Sequence, residues 1–551
     1  MFRALILTTI VAIYSSVGFA QDRKALVVGI DAYDRLVPLA TAVNDSRSLA
    51  KQLSSAGWKV TSLANTGSAD LQRNLEGFLK SLNREDTALF YFAGHGVQAA
   101  DGNYLLARDG FAATTLAVPS NAISLQELLD RIASVTLKRS LVIIDACRSF
   151  IGTAASRAAN SRVGLAEIAQ RVPRGTIVAY SAGSGQEALD GLSASDKDPN
   201  GVFTRVLLRE LGRERGTVQE VLRATRLGVY ELAAGVPHTQ LPSIYDATGG
   251  PFELSRRKVS PTSTGNNFRG QRLTLSVAGA AGGPTDVITR TFAEVLSRTS
   301  GLSFDVENRI DPTGVNTAND VMRSSEVVNK IMVANYGQAI ENAAIGLQPI
   351  GVFAQLPLIA AVSPDSRYRS LAEIWKASQS GNMRIRVATH AIATTPMHRC
   401  ALEFVRILGA DKVELAPFAG GAPAMQAVMD RNIDVICETR PTMQGAINNG
   451  KLLAIASLHE DASGTLDPPT AQSEGFGMVV PNWLGLLAAP QFDDKLRAYL
   501  ESMISTAIAD ASFHQKLRIL GIAQAAPWQL SAESMDIDLR LGVHLRRTSA
   551  R

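Results

Sequence analysis

The sequence predicts an α/β protein built as two successive domains, and three observations carry that prediction. Between residues 25 and 181, apolar runs of strand length alternate with segments of helical period, the pattern of a mostly parallel sheet with helices on both faces. The same pattern starts again at Leu273, after a polar stretch too poor in apolar residues to build a core. Finally, 551 residues are more than one hydrophobic core organises. A hydrophobic content of 46% and a net charge of +4 fit ordinary globular domains; no basic surface pattern of a nucleic-acid binder stands out.

In chain order, Arg3, the apolar run 4–13 and the small residues ending Gly18-Phe19-Ala20 read as a secretory signal cleaved after Ala20 (residues 1–20), which predicts an exported, periplasmic protein. The run is shorter than the roughly 20 apolar residues of a membrane span. Strands are predicted at 25–30, 59–63, 87–93, 141–144 and 176–181, and helices at 43–54, 71–82, 125–133 and 164–170. Two of these strands are expected to stop at loops carrying reactive side chains: one at Gly94-His95-Gly96, the other at Asp145, just before Cys147. Sites in open α/β sheets form at the carboxyl ends of strands.

A cysteine attacks a carbonyl as its thiolate, and a neighbouring imidazole both promotes that form and later protonates the leaving group. Adjacent parallel strands ending together would bring His95 to Cys147, with the Gly96 and Cys147 amides available to a developing oxyanion. The other two cysteines, Cys400 and Cys437, are candidates for a disulfide that leaves Cys147 as the odd thiol; three buried, reduced cysteines are the alternative.

The stretches Gly94-His95-Gly96 and Asp145-Ala146-Cys147 resemble the caspase-like cysteine peptidases, and more closely their bacterial and metacaspase-type members, over about residues 22–254. The histidine of that family lies about 50 residues before the cysteine, so the spacing here is a match to the family and not an independent derivation. The segment from Tyr180 and Ser181 to Asp190-Gly191 looks like the family's substrate-binding loop, and Gly201-Val-Phe-Thr204 like the start of the following helix. The resemblance implies a cysteine-type endopeptidase acting on a peptide or protein. His95 and Cys147 would be its dyad, and Asp45, Asp145 and Ser181 its substrate-binding residues, selecting Arg or Lys before the scissile bond. It implies no cofactor and leaves a calcium requirement open. Asp45 reads alternatively as a helix N-cap, and Asp145 as a strand-end turn residue. Where the family's more active members have His-Ser-Gly after the cysteine, this chain has Arg148-Ser149-Phe150. An inactive caspase-like scaffold is the alternative function.

Residues 255–271 read as an exposed linker containing Arg256, Arg257 and Lys258, residue types the proposed pocket would accept. The second domain, 272–545, opens with a strand at 273–277, the loop Ala280-Ala-Gly-Gly-Pro-Thr-Asp286 and a helix at 287–296. A glycine-rich loop entering a helix offers free amides to an anion. With Val306-Glu-Asn-Arg309, Gly420-Gly421, Asn432-Ile-Asp-Val-Ile436 and Asn482-Trp-Leu-Gly-Leu486, it resembles the periplasmic substrate-binding proteins of tripartite tricarboxylate transporters. That implies a two-lobed type II periplasmic-binding-protein fold closing on a small carboxylate, with a membrane permease as partner. The implied ligand contacts are Gly282, Gly283, Thr285, Asp286, Thr394, Thr395, Gly420 and Gly421. A departure from the family pattern, Asp311-Pro312-Thr313-Gly314, is expected to put a negative charge where such a ligand approaches. His398 and Cys400, without a carboxylate pair nearby, are a poor metal-ligand set.

Overall fold

The computed structural model describes residues 22–99, 102–111, 119–147, 172–183, 186–193, 195–213, 215–236, 238–254, 268–323, 329–379, 384–391, 395–459 and 468–549. The signal segment, the helix expected at 164–170, the residues Arg148-Ser149-Phe150 and linker residues 255–267 lie outside these.

The first domain runs β1 (Arg23–Gly29), α1 (Ala42–Ser55), β2 (Lys59–Ala64), α2 (Ser68–Ser81), β3 (Thr87–Ala99), β4 (Gly102–Phe111), β5 (Ser120–Ser124), α3 (Leu125–Ser134), β6 (Arg139–Cys147), β7 (Thr176–Tyr180), α4 (Val202–Leu211), α5 (Val218–Ala233) and β8 (Ser243–Asp246). Its main sheet has the order β2-β1-β3-β6-β7-β8, parallel as far as β7 and antiparallel at β8. The strands read as unbroken apolar runs because both faces are covered. Leu26, Val28, Phe90, Phe92, Val142 and Ile144 share a core with Leu71 and Leu75 of α2 and Leu128 of α3. Their alternating neighbours Val27, Leu89, Tyr91, Leu141 and Ile143 pack with Leu49 of α1, Phe203 of α4 and Val221 of α5.

The two central strands do not stop where the sequence suggested. β6 continues past Asp145 to Cys147, and β3 continues past Ala93 through His95 to Ala99. The far half of β3 stays extended because β4 pairs with it antiparallel, with Gly96 opposite Leu105 and Val97 opposite Tyr104. That tertiary pairing overrides the turn signal of Gly94-His95-Gly96.

The second domain runs β9 (Arg272–Ala278), α6 (Pro284–Ser300), β10 (Ser303–Arg309), α7 (Val315–Arg323), β11 (Lys330–Asn335), α8 (Tyr336–Glu341), β12 (Gln348–Gln355), β13 (Leu358–Val362), α9 (Leu371–Gln379), β14 (Ile385–His390), α10 (Pro396–Leu408), β15 (Val413–Phe418), α11 (Gly421–Met429), β16 (Ile436–Thr439), α12 (Arg440–Asn448), β17 (Leu453–Ser457), β18 (Trp483–Ala488), α13 (Asp494–Ile508), α14 (Ala511–Ile519), β19 (Ala523–Gln524) and α15 (Ala532–Ser549). One lobe is built on the sheet β10-β9-β11-β18-β12-β19, the other on β16-β13-β17 and the pair β14-β15. The chain crosses between lobes after β12 and before β18, where the Leu356 amide donates to the Asn482 carbonyl (2.8 Å) and Asn482 Nδ2 to the Leu356 carbonyl (3.0 Å). A disulfide joins Cys400 of α10 to Cys437 of β16, with Cα atoms 6.2 Å apart, resolving the cysteine alternatives in favour of pairing. Among the described residues no helix is long and apolar enough to cross a membrane.

Candidate functional site

The parallel ladder between β3 and β6 keeps one register from Thr87 opposite Arg139 to His95 opposite Cys147. Adjacent strands lie about 5 Å apart, so the two backbones carrying the proposed dyad are immediate neighbours. The Cys147 side chain lies outside what is described. His95 is 8% exposed. Its Nε2 is 2.8 Å from the Val37 carbonyl, and a carbonyl only accepts, so the proton sits on Nε2. Nδ1 is buried and has no hydrogen-bond partner among the described residues; in the neutral ring it is the basic nitrogen. Tyr33 packs beside the imidazole with its ring tilted by 50° and the centroids 4.6 Å apart, and its hydroxyl accepts the His95 amide at 2.7 Å. Burial pushes the His95 pKa below its ordinary value, against smaller opposing effects of the Val37 carbonyl and Asp190. The ring is therefore neutral at neutral pH and ready to take a proton.

Beside it lies a group of carboxyls. Asp45 is 2% exposed and accepts the Gly201 amide at 2.9 Å. It sits within the first turn of α1, whose cap position belongs to Thr41, so its role is not the N-cap. Asp145 accepts the Thr204 hydroxyl at 2.7 Å, and that hydroxyl is 2.8 Å from Tyr91 Oη. Ser181, 1% exposed, lies near the Asp145 carboxyl, and its buried hydroxyl has no hydrogen-bond partner among the described residues. Asp190 is the third acid. Burial raises the pKa of all three; Asp45 is pushed up to about 8, by burial first and then by the negative charge of Asp145, with a smaller contribution from Asp190. Such a group gains by admitting a cation, which favours the ionised carboxylates that burial opposes.

In the second domain the glycine-rich loop does enter a helix. Gly283 caps α6, and Gly282 adopts a left-handed φ of 77°. Asp286 is turned inward: it accepts the Gly282 amide (2.8 Å) and pairs with Arg290 (2.9 Å). Although burial works against it, those partners hold its pKa below the usual carboxylate range. Its geometry is that of a loop brace. The Thr285 carbonyl accepts the Thr289 hydroxyl (2.7 Å). Thr395 caps α10 by accepting the His398 amide (3.3 Å), while Thr394 lies outside the described residues. Gly420 caps α11 and Gly421 begins it. A Cβ on Gly421 would come within 2.7 Å of Glu438 Oε2, so a carboxyl of the protein already lies at that helix start.

One expectation, that for Asp311, is corrected. Asp311 is 3% exposed and accepts the Gly314 amide (3.1 Å) and the amide and hydroxyl of Thr317 (2.9 and 3.1 Å). Its charge is taken up by the start of α7 instead of standing free before a ligand. Cys400 is spent in the disulfide, and His398 Nδ1 lies 3.0 Å from the Thr389 hydroxyl.

Residues 22–251 match the family model described as "Caspase domain", and residues 290–535 the model described as "Tripartite tricarboxylate transporter family receptor". The chain joins a caspase domain to a tricarboxylate-transporter receptor domain. A relative, the UPF0065 protein in the tcbD-tcbE intergenic region of a Pseudomonas species (strain P51), is 23% identical over 272 residues, 47% of this chain and 80% of that protein. Among solved structures, MatC from Rhodopseudomonas palustris with bound malate is 22% identical with a TM-score of 0.40, covering 51% of this chain and 99% of that one. Caspase-1 from Spodoptera frugiperda is 19% identical with a TM-score of 0.30, covering 41% of this chain and 86% of that one.

In the caspase domain, sequence reasoning passed over Val37, Tyr33 and Tyr91, and it named Asp190 and Thr204 only as members of the loop and helix start, without a role of their own. Asp190 was legible in principle, as an acid within the predicted substrate loop. Val37 acts through its main-chain carbonyl and leaves no side-chain signature.

Proposed function

We propose that the caspase domain is a cysteine endopeptidase that cleaves after Arg or Lys, and that the receptor domain binds a small carboxylate in an exported, periplasmic protein working beside a membrane permease. The observation that carries the peptidase reading is the backbone register that sets His95 opposite Cys147 on adjacent strands, with a buried His95 Nδ1 that has no hydrogen-bond partner among the described residues. In this reading Nδ1 takes the thiol proton and Cys147 Sγ attacks the scissile carbonyl. The Gly96 and Cys147 amides receive the oxyanion. On collapse the C–N bond breaks, His95 returns the proton to the leaving amine and a thioester remains. Water then attacks the thioester, giving up its proton to His95, and the C–S bond breaks to release the acid and restore the thiol. The Val37 carbonyl holds the ring in the required tautomer and stabilises the imidazolium. Asp45, Asp145 and Asp190 form the pocket for the basic side chain, with Thr204 orienting Asp145 and Ser181 beside it. For the receptor domain the support is the family match together with the helix starts at Gly282, Gly283 and Thr285, braced by Asp286, and at Thr395; at Gly420 and Gly421 a ligand would have to displace the Glu438 carboxyl.

The test is hydrolysis of fluorogenic peptides bearing Arg, Lys, Asp or Ala before the scissile bond, under reducing conditions with and without calcium. Cleavage after Arg and Lys that disappears in Cys147→Ala is the expected result. A wild-type protein that cleaves none of the panel would refute the peptidase reading and leave a scaffold on a solute receptor.

A further inference from the structure

The caspase domain touches both lobes of the receptor domain, and it does so through different elements. On the first lobe, α15 lies along α5: Ile537 packs with Ala224 and Leu227, Arg540 pairs with Glu231 at 2.6 Å and Glu533 with Arg215 at 3.0 Å, and Asp538 pairs with Arg223. On the second lobe, Gln472, 4% exposed, donates Nε2 to the Ile244 carbonyl of β8 at 2.7 Å. β8 is the last strand of the caspase sheet.

The lobes also meet each other next to this interface. The guanidinium of Arg399, on α10 of the second lobe, lies 4.1 Å from the ring centroid of Tyr336 on α8 of the first, and donates to the Pro481 carbonyl beside the crossing (3.2 Å). Tyr336 Oη reaches the Asp538 carbonyl (3.4 Å), and the Asp538 carboxylate accepts Trp483 Nε1 (3.1 Å) while holding Arg223. A change in the angle between lobes must therefore break or slide the Arg399 contact, the Gln472 contact, or both.

The strand held by Gln472 supports the substrate-side loop. Just before β8, Gln240 donates to the Ser181 carbonyl (2.8 Å) and accepts the Leu189 amide (3.1 Å), and the Leu241 amide donates to Gln186 Oε1 (2.8 Å). Leu189 adjoins Asp190. We propose that the receptor domain regulates the caspase domain: the angle between its lobes is transmitted through Gln472 and residues 240–244 to residues 186–190, setting the position of Asp190 in the pocket. This rests on the peptidase reading for its consequence in catalysis, though not for the mechanical coupling itself.

The experiment is hydrogen exchange by mass spectrometry on the full chain, comparing the wild type with Gln472→Ala and Arg399→Met. Gln472→Ala cuts the tether directly. Arg399→Met frees the lobes by removing contacts made entirely within the receptor domain. Both are expected to speed exchange over residues 186–190 and 240–246 by roughly three- to tenfold, the worth of one hydrogen bond, with β1 and β3 unchanged. Arginyl-peptide hydrolysis should then show a raised KM and little change in kcat. If Arg399→Met leaves 186–190 untouched, or if the Gln472→Ala effect stays at residues 244 and 470–474, the coupling is refuted. Exchange needs no hydrolysis, so a protein that shows the coupling but cleaves nothing refutes the peptidase reading alone.

Discussion

Replacing Asp45 by Asn tests the electrostatics of the pocket through the stability of the fold. Asp45 is 2% exposed, and burial followed by the charge of Asp145 raises its pKa from the ordinary 3.8 to about 8. A carboxyl that holds its proton more tightly when folded makes the protein lose stability as pH climbs, here between about pH 4 and about pH 8. At about 1.4 kcal/mol for each tenfold change, full ionisation of an isolated Asp45 would cost roughly 5–6 kcal/mol. The titration of Asp45 is linked to the charge of Asp145, and the site relaxes on ionisation, so about half of that is expected. Asparagine keeps an oxygen for the Gly201 amide and cannot ionise. Asp45→Asn should therefore match the wild type near pH 4 and exceed it by roughly 2–3 kcal/mol at pH 8, read as the melting of the caspase domain across that range. Hydrolysis after Arg should fall by about tenfold or more as a charge is withdrawn from the cation, while arginine amide stabilises the wild type more than the variant. A stability gap that does not widen with pH, or a variant less stable at pH 8, would refute the reasoning.

Tyr33→Phe removes the acceptor of the His95 amide while keeping the ring against the imidazole. A buried amide left unpaired costs about 1–3 kcal/mol, so the caspase domain should melt earlier and kcat for an arginyl peptide should drop about tenfold; an unchanged kcat would remove Tyr33 from the positioning of His95. The paired change Cys400→Ser with Cys437→Ser opens a loop of 37 residues' separation and should destabilise the receptor domain by about 2–4 kcal/mol, as reductant should in the wild type, with caspase-domain melting unchanged. A receptor transition indifferent to reductant would count against the disulfide.

The sequence by itself determined the two-domain α/β architecture, because strands buried on both faces must be continuously apolar and helices covering them must be amphipathic. It also pointed to His95 and Cys147 as the pair to consider, through their places at predicted strand ends and the resemblance of both stretches to the caspase-like family. What it could not give was the reach of the strands that carry them. Gly94 and Gly96 signal a turn locally, and only the pairing with β4 keeps β3 extended through His95. Asp311 was misread for the same reason: in sequence it is a loose negative charge, while in space it is taken up by the start of α7. The tautomer of His95 rests on a main-chain carbonyl 58 positions away, and the acidity of the pocket on three carboxyls drawn from α1, β6 and the loop after β7. Residue identity fixes what a group can do; burial and partners brought from distant segments fix its protonation state and its aim, and those exist only once the chain has folded.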